Sequence, residues 1–181
     1  KLLLALGRIY SIPVVALRYS IVQGSRQSFR HFYSGALRDF SVRALAGMPI
    51  VMQEDANQIR DFVNVHDVVD ANLVVLKNSK ADFQIFNVGS GQSKKVLDLA
   101  RLVVKTAGVK FQPVIEGLFR INAPRHSTMD ISKLKNLGWR PRRSLEDSIK
   151  EYLAWLKAHP KAISYWTKTY KIMGKQKLLR K

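Results

Sequence analysis

Residues 59–78, IRDFVNVHDVVDANLVVLKN, constrain this chain more than any other stretch, because the patterning passes from strand to helix without a breaker. Phe62, Val63 and Val65 suit a short pleated run, and Val68, Ala71, Asn72, Val75 and Leu76 recur at helical spacing on one face. The segment therefore predicts a strand that runs directly into a helix. Asp67 falls where that helix starts, and a carboxylate there can cap free backbone N–H groups and meet the positive end of the helix dipole. Arg60 precedes the strand. A planar, always-charged guanidinium in that place is either a surface arginine or a clamp for an anion such as a phosphate.

The flanking sequence repeats this alternation. LLLALGRIYS reads as the end of a helix, with Leu3, Leu6 and Ile9 near one face and Ser11, Ile12 and Pro13 closing it. VVALRYSIV is a continuous apolar run, the pattern of a strand covered on both faces in a parallel sheet. Residues 28–47 predict a helix stopped by Gly47 and Pro49, and its aromatics Phe29, Phe32, Tyr33 and Phe40 read as core rather than as a base-stacking face. PIVMQ is a short strand, followed by a turn at Glu54, Asp55, Ala56 and Asn57. FQIFNV is a further strand, closed by Gly89, Ser90 and Gly91 in a tight turn that lacks the spacing of a dinucleotide fingerprint. Residues 95–107 form an amphipathic helix with Val96, Leu99, Ala100, Val103 and Val104 inward, and FQPVI follows as a short strand. Arg120, Arg125 and His126 meet no acid until Asp130, which predicts a local positive patch, with His126 structural. Leu134 and Leu137 give the inner face of a short helix ended by Gly138 and Trp139.

At 181 residues the chain can bury one sizeable core. No apolar stretch reaches the span of a bilayer, and Arg8 and Pro13 interrupt the opening apolar run, which reads as folded chain rather than a secretion signal. The absence of cysteine removes disulfides, thiolate metal sites and cysteine nucleophiles, and is compatible with the cytoplasm. No catalytic group and no metal site is predicted from the residues. The formal charge of +18 suits polyanionic partners, nucleic acid first. Residues 159–181 concentrate it, with Lys161, Lys168, Lys171, Lys175, Lys177, Arg180 and Lys181 interleaved with Tyr165, Trp166 and Tyr170 and no acid. That composition suits an RNA or membrane surface, or a solvated terminal helix. The expected division is 1–158 as one domain and 159–181 as a basic tail.

RDFVNVHDVVDA resembles the RDFxxVxD segment of nucleotide-sugar epimerases and dehydratases, which are extended short-chain dehydrogenase/reductases. VVALRYSIVQGSRQ, FNVGSG, FRINAPRHSTMDISKLKNLGWRP and SLEDSIKEYLAWL agree with the same family in the same order, so the resemblance spans residues 2–156. It implies an α/β fold: the C-terminal part of a Rossmann-like parallel sheet with a small mixed α/β substrate-binding lobe. It implies NAD as the cofactor of the complete enzyme, a UDP- or dTDP-sugar as substrate, and a homodimer. Tyr19 and Ser20 would line the nicotinamide end, with Ser20 also at the substrate, and Arg60 and Arg120 would bind the diphosphate. Ser20 and Ser25 stand where the family usually has Asn and Pro, and Asn122 and Ala123 where it often has Gly-Asp, which removes a carboxylate near the arginines. The 181 residues contain neither the glycine-rich NAD fingerprint nor a Tyr-x-x-x-Lys pair before Val14. By the resemblance the chain is the carboxyl-terminal, substrate-binding half of such an enzyme. It would need the amino-terminal half as a partner, would be inactive alone, and would hold NAD weakly. A basic binding module for nucleic acid or membrane on a reused fold is the alternative.

Overall fold

The computed structural model describes residues 1–29, 35–110, 113–117, 119–120, 124–175 and 179–180; of 119–120, 169–175 and 179–180 it describes the backbone alone. In chain order the elements are α1 (Leu2–Ile9), β1 (Ala16–Tyr19), β2 (Ile21–Gln23), α2 (Gly35–Leu45), β3 (Val51–Met52), β4 (Ile59–Arg60), β5 (Phe62–Asn64) and α3 (Val65–Leu76). A 3-10 turn (Ser79–Ala81), β6 (Ile85–Val88), β7 (Lys94–Lys95), α4 (Val96–Ala107), β8 (Val114–Ile115), β9 (Phe119–Arg120) and β10 (His126–Ser127) follow. The chain continues through α5 (Ser132–Asn136), α6 (Leu145–Lys157), α7 (Ala162–Lys175) and β11 (Leu179–Arg180).

The strand-to-helix segment sets the frame. β5 pairs in parallel with β2, β6 pairs in parallel with β1, and α3 is the crossover from β5 to β6. VVALRYSIV is therefore two short strands, where one was expected, and it changes neighbours at Ser20. The Ser20 N–H donates to the Val88 carbonyl at 2.8 Å, and the next N–H, of Ile21, donates to the Asp61 carbonyl at 3.1 Å. Successive amides of a strand point to opposite edges, so the run serves β6 with its first half and β5 with its second. Nor is it covered on both faces: Arg18 and Tyr19 are exposed.

The cap of α3 is Asn64, whose side chain accepts from the His66 N–H at 2.8 Å, and not Asp67. Asp67 lies within the first turn, 1% exposed, and takes the Arg143 guanidinium at 2.9 Å and the Arg143 N–H at 3.0 Å. A cap must sit outside the first helical residue to reach the free amides, and the helix already starts at Val65. Its inner face is Val68, Ala71 and Val75; Asn72 and Leu76 face solvent, which narrows the stripe expected from spacing. α1 is turned the other way from its expected face. Leu4 and Gly7 are buried, whereas Leu3 and Ile9 are exposed, because the close approach of Gly7 to Val14 fixes which side meets the sheet.

Two cores result. One lies around α3 and the β1–β6 pair and takes in Phe86, Val88, Ile131, Leu134 and Trp139. The other joins α2, α4, α6 and α7 around Leu37, Phe40, Leu99, Val103, Ile149 and Tyr152. Helix α2 starts at Gly35, and residues 30–34, with the aromatics Phe32 and Tyr33, lie outside the described residues. Phe29 is core as expected, with its ring 5.5 Å from that of Trp155. In α7, Ala162 and Trp166 join the same core, and the Trp166 indole N–H donates to Asp39 at 2.6 Å while the Arg43 guanidinium lies 4.7 Å from its ring. β11 returns antiparallel onto β9; the side chain of Tyr170 and residues Lys177 and Lys181 lie outside the described part. Among the described residues, no helix is long and apolar enough to cross a membrane.

Candidate functional site

The RDF motif divides into three jobs. Phe62 is core. Asp61, fully buried between β4 and β5, accepts from the Ser90 N–H and hydroxyl at 2.7 Å each and from the Gly91 N–H at 3.1 Å. The glycine-rich turn after β6 thus directs its amides at a carboxylate of the protein itself. A Cβ on Gly89 would collide with that carboxylate, which is why the sequence holds glycine at this close approach. The turn is a tight structural turn, as its spacing predicted.

Arg60 is half-buried on β4, which lies between β7, antiparallel, and β10, parallel. Its guanidinium donates to the carbonyls of Ile59 at 2.8 Å, Arg125 at 2.7 Å and Pro124 at 2.6 Å. Burial lowers its pKa, against the attraction of Glu54, which raises it. The segment from Pro124 to Ser127 is thereby laid along β4, and the Ile59 N–H donates to His126 Nδ1 at 3.3 Å, giving that histidine the structural part expected of it.

The positive patch expected at Arg120, Arg125 and His126 is corrected at Arg125. Its terminal nitrogens donate to Glu54 at 2.7 Å and Asp55 at 2.6 Å. These acids come from a turn about seventy residues upstream, and separation along the chain hid them. The hydrogen bond from Arg125 holds the Asp55 carboxyl down at about 2, and the same contact raises the pKa of Arg125. Sequence reasoning missed this pairing, although the acids of the Glu54 turn were its available signal.

Tyr19 closes β1, partly exposed, and its hydroxyl donates to Asn72 at 3.0 Å. The Ser20 hydroxyl donates to the Asp61 carbonyl at 2.5 Å, so this side chain pins the strand switch. Arg120 lies on β9 opposite Leu179; its side chain lies outside the described residues. The structure thus places Arg60 against the strap that follows β9, with residues 121–123 intervening. Among the described residues, no group of His, Asp and Glu could hold a metal ion.

Fold and site together define a mixed α/β protein with parallel strand pairs of the Rossmann-like kind. Residues 1–89 match the NAD dependent epimerase/dehydratase family. The chain is 38% identical over 145 residues to the dTDP-L-rhamnose 4-epimerase of Burkholderia thailandensis, covering 80% of this chain and 40% of that protein. It is 32% identical over 156 residues to a putative UDP-glucose 4-epimerase of Methanocaldococcus jannaschii, covering 83% and 48%. Among solved structures, the UDP-glucose 4-epimerase of Thermotoga maritima with UDP-glucose superposes with a TM-score of 0.80 at 32% identity, over 87% of this chain and 50% of that one. The Thermus thermophilus UDP-glucose 4-epimerase in complex with NAD gives 0.76 at 27%, over 87% and 51%. Residues 1–89 are thus similar to an epimerase-family domain, and nucleotide-sugar epimerases are relatives of the chain. It spans about half or less of the length of these relatives.

Proposed function

We propose that this chain supplies the carboxyl-terminal, substrate-binding part of an NAD-dependent epimerase or dehydratase of UDP- or dTDP-sugars. The observation that carries the reading is the fit of Arg60 to the strap at Pro124 and Arg125, which follows Arg120 closely in the sequence. Two guanidiniums on a diphosphate make charge-assisted bonds of defined direction, which a point-charge ammonium does not fix. Arg60 and Arg120 hold the diphosphate in this reading. Tyr19 and Ser20 stand at the carboxyl end of β1, where open parallel sheets take their ligands, and fit the nicotinamide end alone. NAD, when bound, supplies the hydride acceptor for a sugar carbon. The chain's own residues bind and orient the sugar nucleotide; none of its tyrosines is followed four residues later by the lysine that would lower its pKa for proton abstraction.

The test is a titration of the chain with UDP-glucose and dTDP-glucose. Arg60→Ala or Arg120→Ala weakens binding by about 1.5–3 kcal/mol, and Lys at either position recovers only part. Unchanged affinity in both Ala variants overturns the clamp. The +18 charge favours a second reading, a basic module for nucleic acid. A steep salt dependence toward an RNA oligomer, without saturation by either sugar nucleotide, would establish that reading instead. Mixing the chain with a separately expressed amino-terminal part of a UDP-glucose 4-epimerase is expected to give epimerisation; turnover by the chain alone with NAD and UDP-glucose would refute the assignment.

A further inference from the structure

We propose that Arg125 is a positioning residue for the diphosphate clamp: bound to Glu54 and Asp55, it sets the span between Arg60 and the strand that carries Arg120. The proposal rests on the nucleotide-sugar reading above. Its starting point is a conflict at Arg60. That guanidinium holds the strap through the carbonyls of Pro124 and Arg125, and it is also the group offered to the diphosphate. A phosphate oxygen is a stronger acceptor than a neutral carbonyl, so a bound diphosphate draws Arg60 away from the strap. What then keeps the strap in register is the two-residue ladder of β10 on β4, the Ile59 bond to His126, and Arg125.

Arg125 suits that work because its acceptors take hydrogen bonds from Arg125 and not from Arg60, which Glu54 reaches only as a nearby charge. Glu54 and Asp55 belong to a turn fixed by its own bonds: the Ala56 N–H donates to the Gln53 carbonyl at 3.1 Å, the Asn57 N–H to Asp55 at 3.1 Å, and the Gln58 amide to the Gln53 carbonyl at 3.0 Å. Glu54 and Ala56 take positive φ values of 48° and 64°, so the turn is specified by contacts around it. One terminal nitrogen of Arg125 goes to each acid, which ties the side chain at two points. Pro124 lies four residues after Arg120, so a fixed strap keeps the Arg120 Cα within about 14 Å of Pro124 whatever path the intervening chain takes. Loss of the anchor frees Pro124 and Arg125 from the Glu54 turn, and the two arginines no longer meet the diphosphate at once.

UDP-glucose affinity, hydrogen exchange of the 125–127 amides and the urea midpoint are measured for the wild-type chain and for R60A, R120A, R125A, R125K and E54Q/D55N. The expected result is a roughly two- to fivefold higher Kd for R125A and for E54Q/D55N, the scale of a partly exposed ion-pair network. Faster exchange at 125–127, a urea midpoint lowered too little to account for the lost affinity, and partial rescue by R125K accompany it. If R60A and R120A weaken binding while R125A changes neither Kd nor exchange, the clamp stands and the positioning role is wrong. A fall in the urea midpoint large enough to explain the lost affinity makes Arg125 merely structural and also overturns the role. If R60A and R120A both leave Kd unchanged, or the wild type does not bind UDP-glucose, the clamp itself fails and the role assigned to Arg125 falls with it.

Discussion

Asp61 shows how one side chain can decide a loop. Its carboxylate is fully buried and meets three donors of the Gly89–Gly91 turn. Asp61→Ala strands those donors and is expected to cost about 3 kcal/mol or more in urea unfolding, with Asp61→Asn keeping part of it; a loss under about 1 kcal/mol would show that the turn stands without it. Asp55 is the residue for a pH test. Arg125 holds its carboxyl at about 2, below the ordinary value of about 3.9. A depressed carboxylate stabilises the fold fully above the unfolded value, and that contribution is lost as pH falls from about 4 toward 2. NMR titration of the Asp55 carboxyl should therefore give a midpoint near 2 that rises toward about 3.9 in Arg125→Ala. An identical midpoint in both proteins would remove Arg125 as the cause.

Among the elements, α6 carries the most explicit instructions. Ser144 accepts from the Asp147 N–H at 3.1 Å while the Asp147 carboxylate accepts from the Ser144 N–H at 2.9 Å, a reciprocal cap written in the sequence as S-L-E-D. Ser144→Ala should destabilise by about 1 kcal/mol, read as a lower urea midpoint at unchanged slope; no shift would mean that packing of Ile149, Tyr152 and Leu153 alone holds the helix start. The cap of α3 was less legible. Both Asn64 and Asp67 are good capping types, and only the path of β5, which runs in register with β2 up to Gln23 and Asn64, settled that the helix begins at Val65. Asp67 was left free to meet Arg143, a partner no local rule could supply.

For the molecule as a whole, the notable feature is apolar surface. Leu2, Leu3 and Ile9 of α1 and Leu73 and Leu76 of α3 are exposed, and among the described residues β1 has β6 as its single strand neighbour. Groups of this kind mark surfaces that associate, and a strand edge with unpaired amides adds to them. The chain is expected to bind a hydrophobic dye and to self-associate with rising concentration in sedimentation velocity. A strict monomer with no dye-accessible patch would contradict this. The basic excess acts at the same scale, but the aromatic part of the 159–181 segment does not form a simple stacking face, since Trp166 is buried against Asp39 and Arg43.

Local patterning determined much here: the passage of strand into helix within residues 59–78, the Val68, Ala71 and Val75 part of the inner face of α3, the inner face of α4, the tight turn at Gly89 and the cap of α6 all follow from spacing and from the conformational limits of single residue types. The motif order of the RDF segment and its neighbours likewise pointed to the family that residues 1–89 match. Tertiary structure alone decided which partners the charges found. Arg125 met Glu54 and Asp55, Asp67 met Arg143, and Arg60 met two carbonyls of the strap, each pair more than sixty residues apart. It also decided that VVALRYSIV is two strands and that the apolar face of α1 looks outward. Periodicity states which side of an element is apolar; which neighbour covers that side, and which distant charge comes within about 3 Å, depends on how the chain returns on itself.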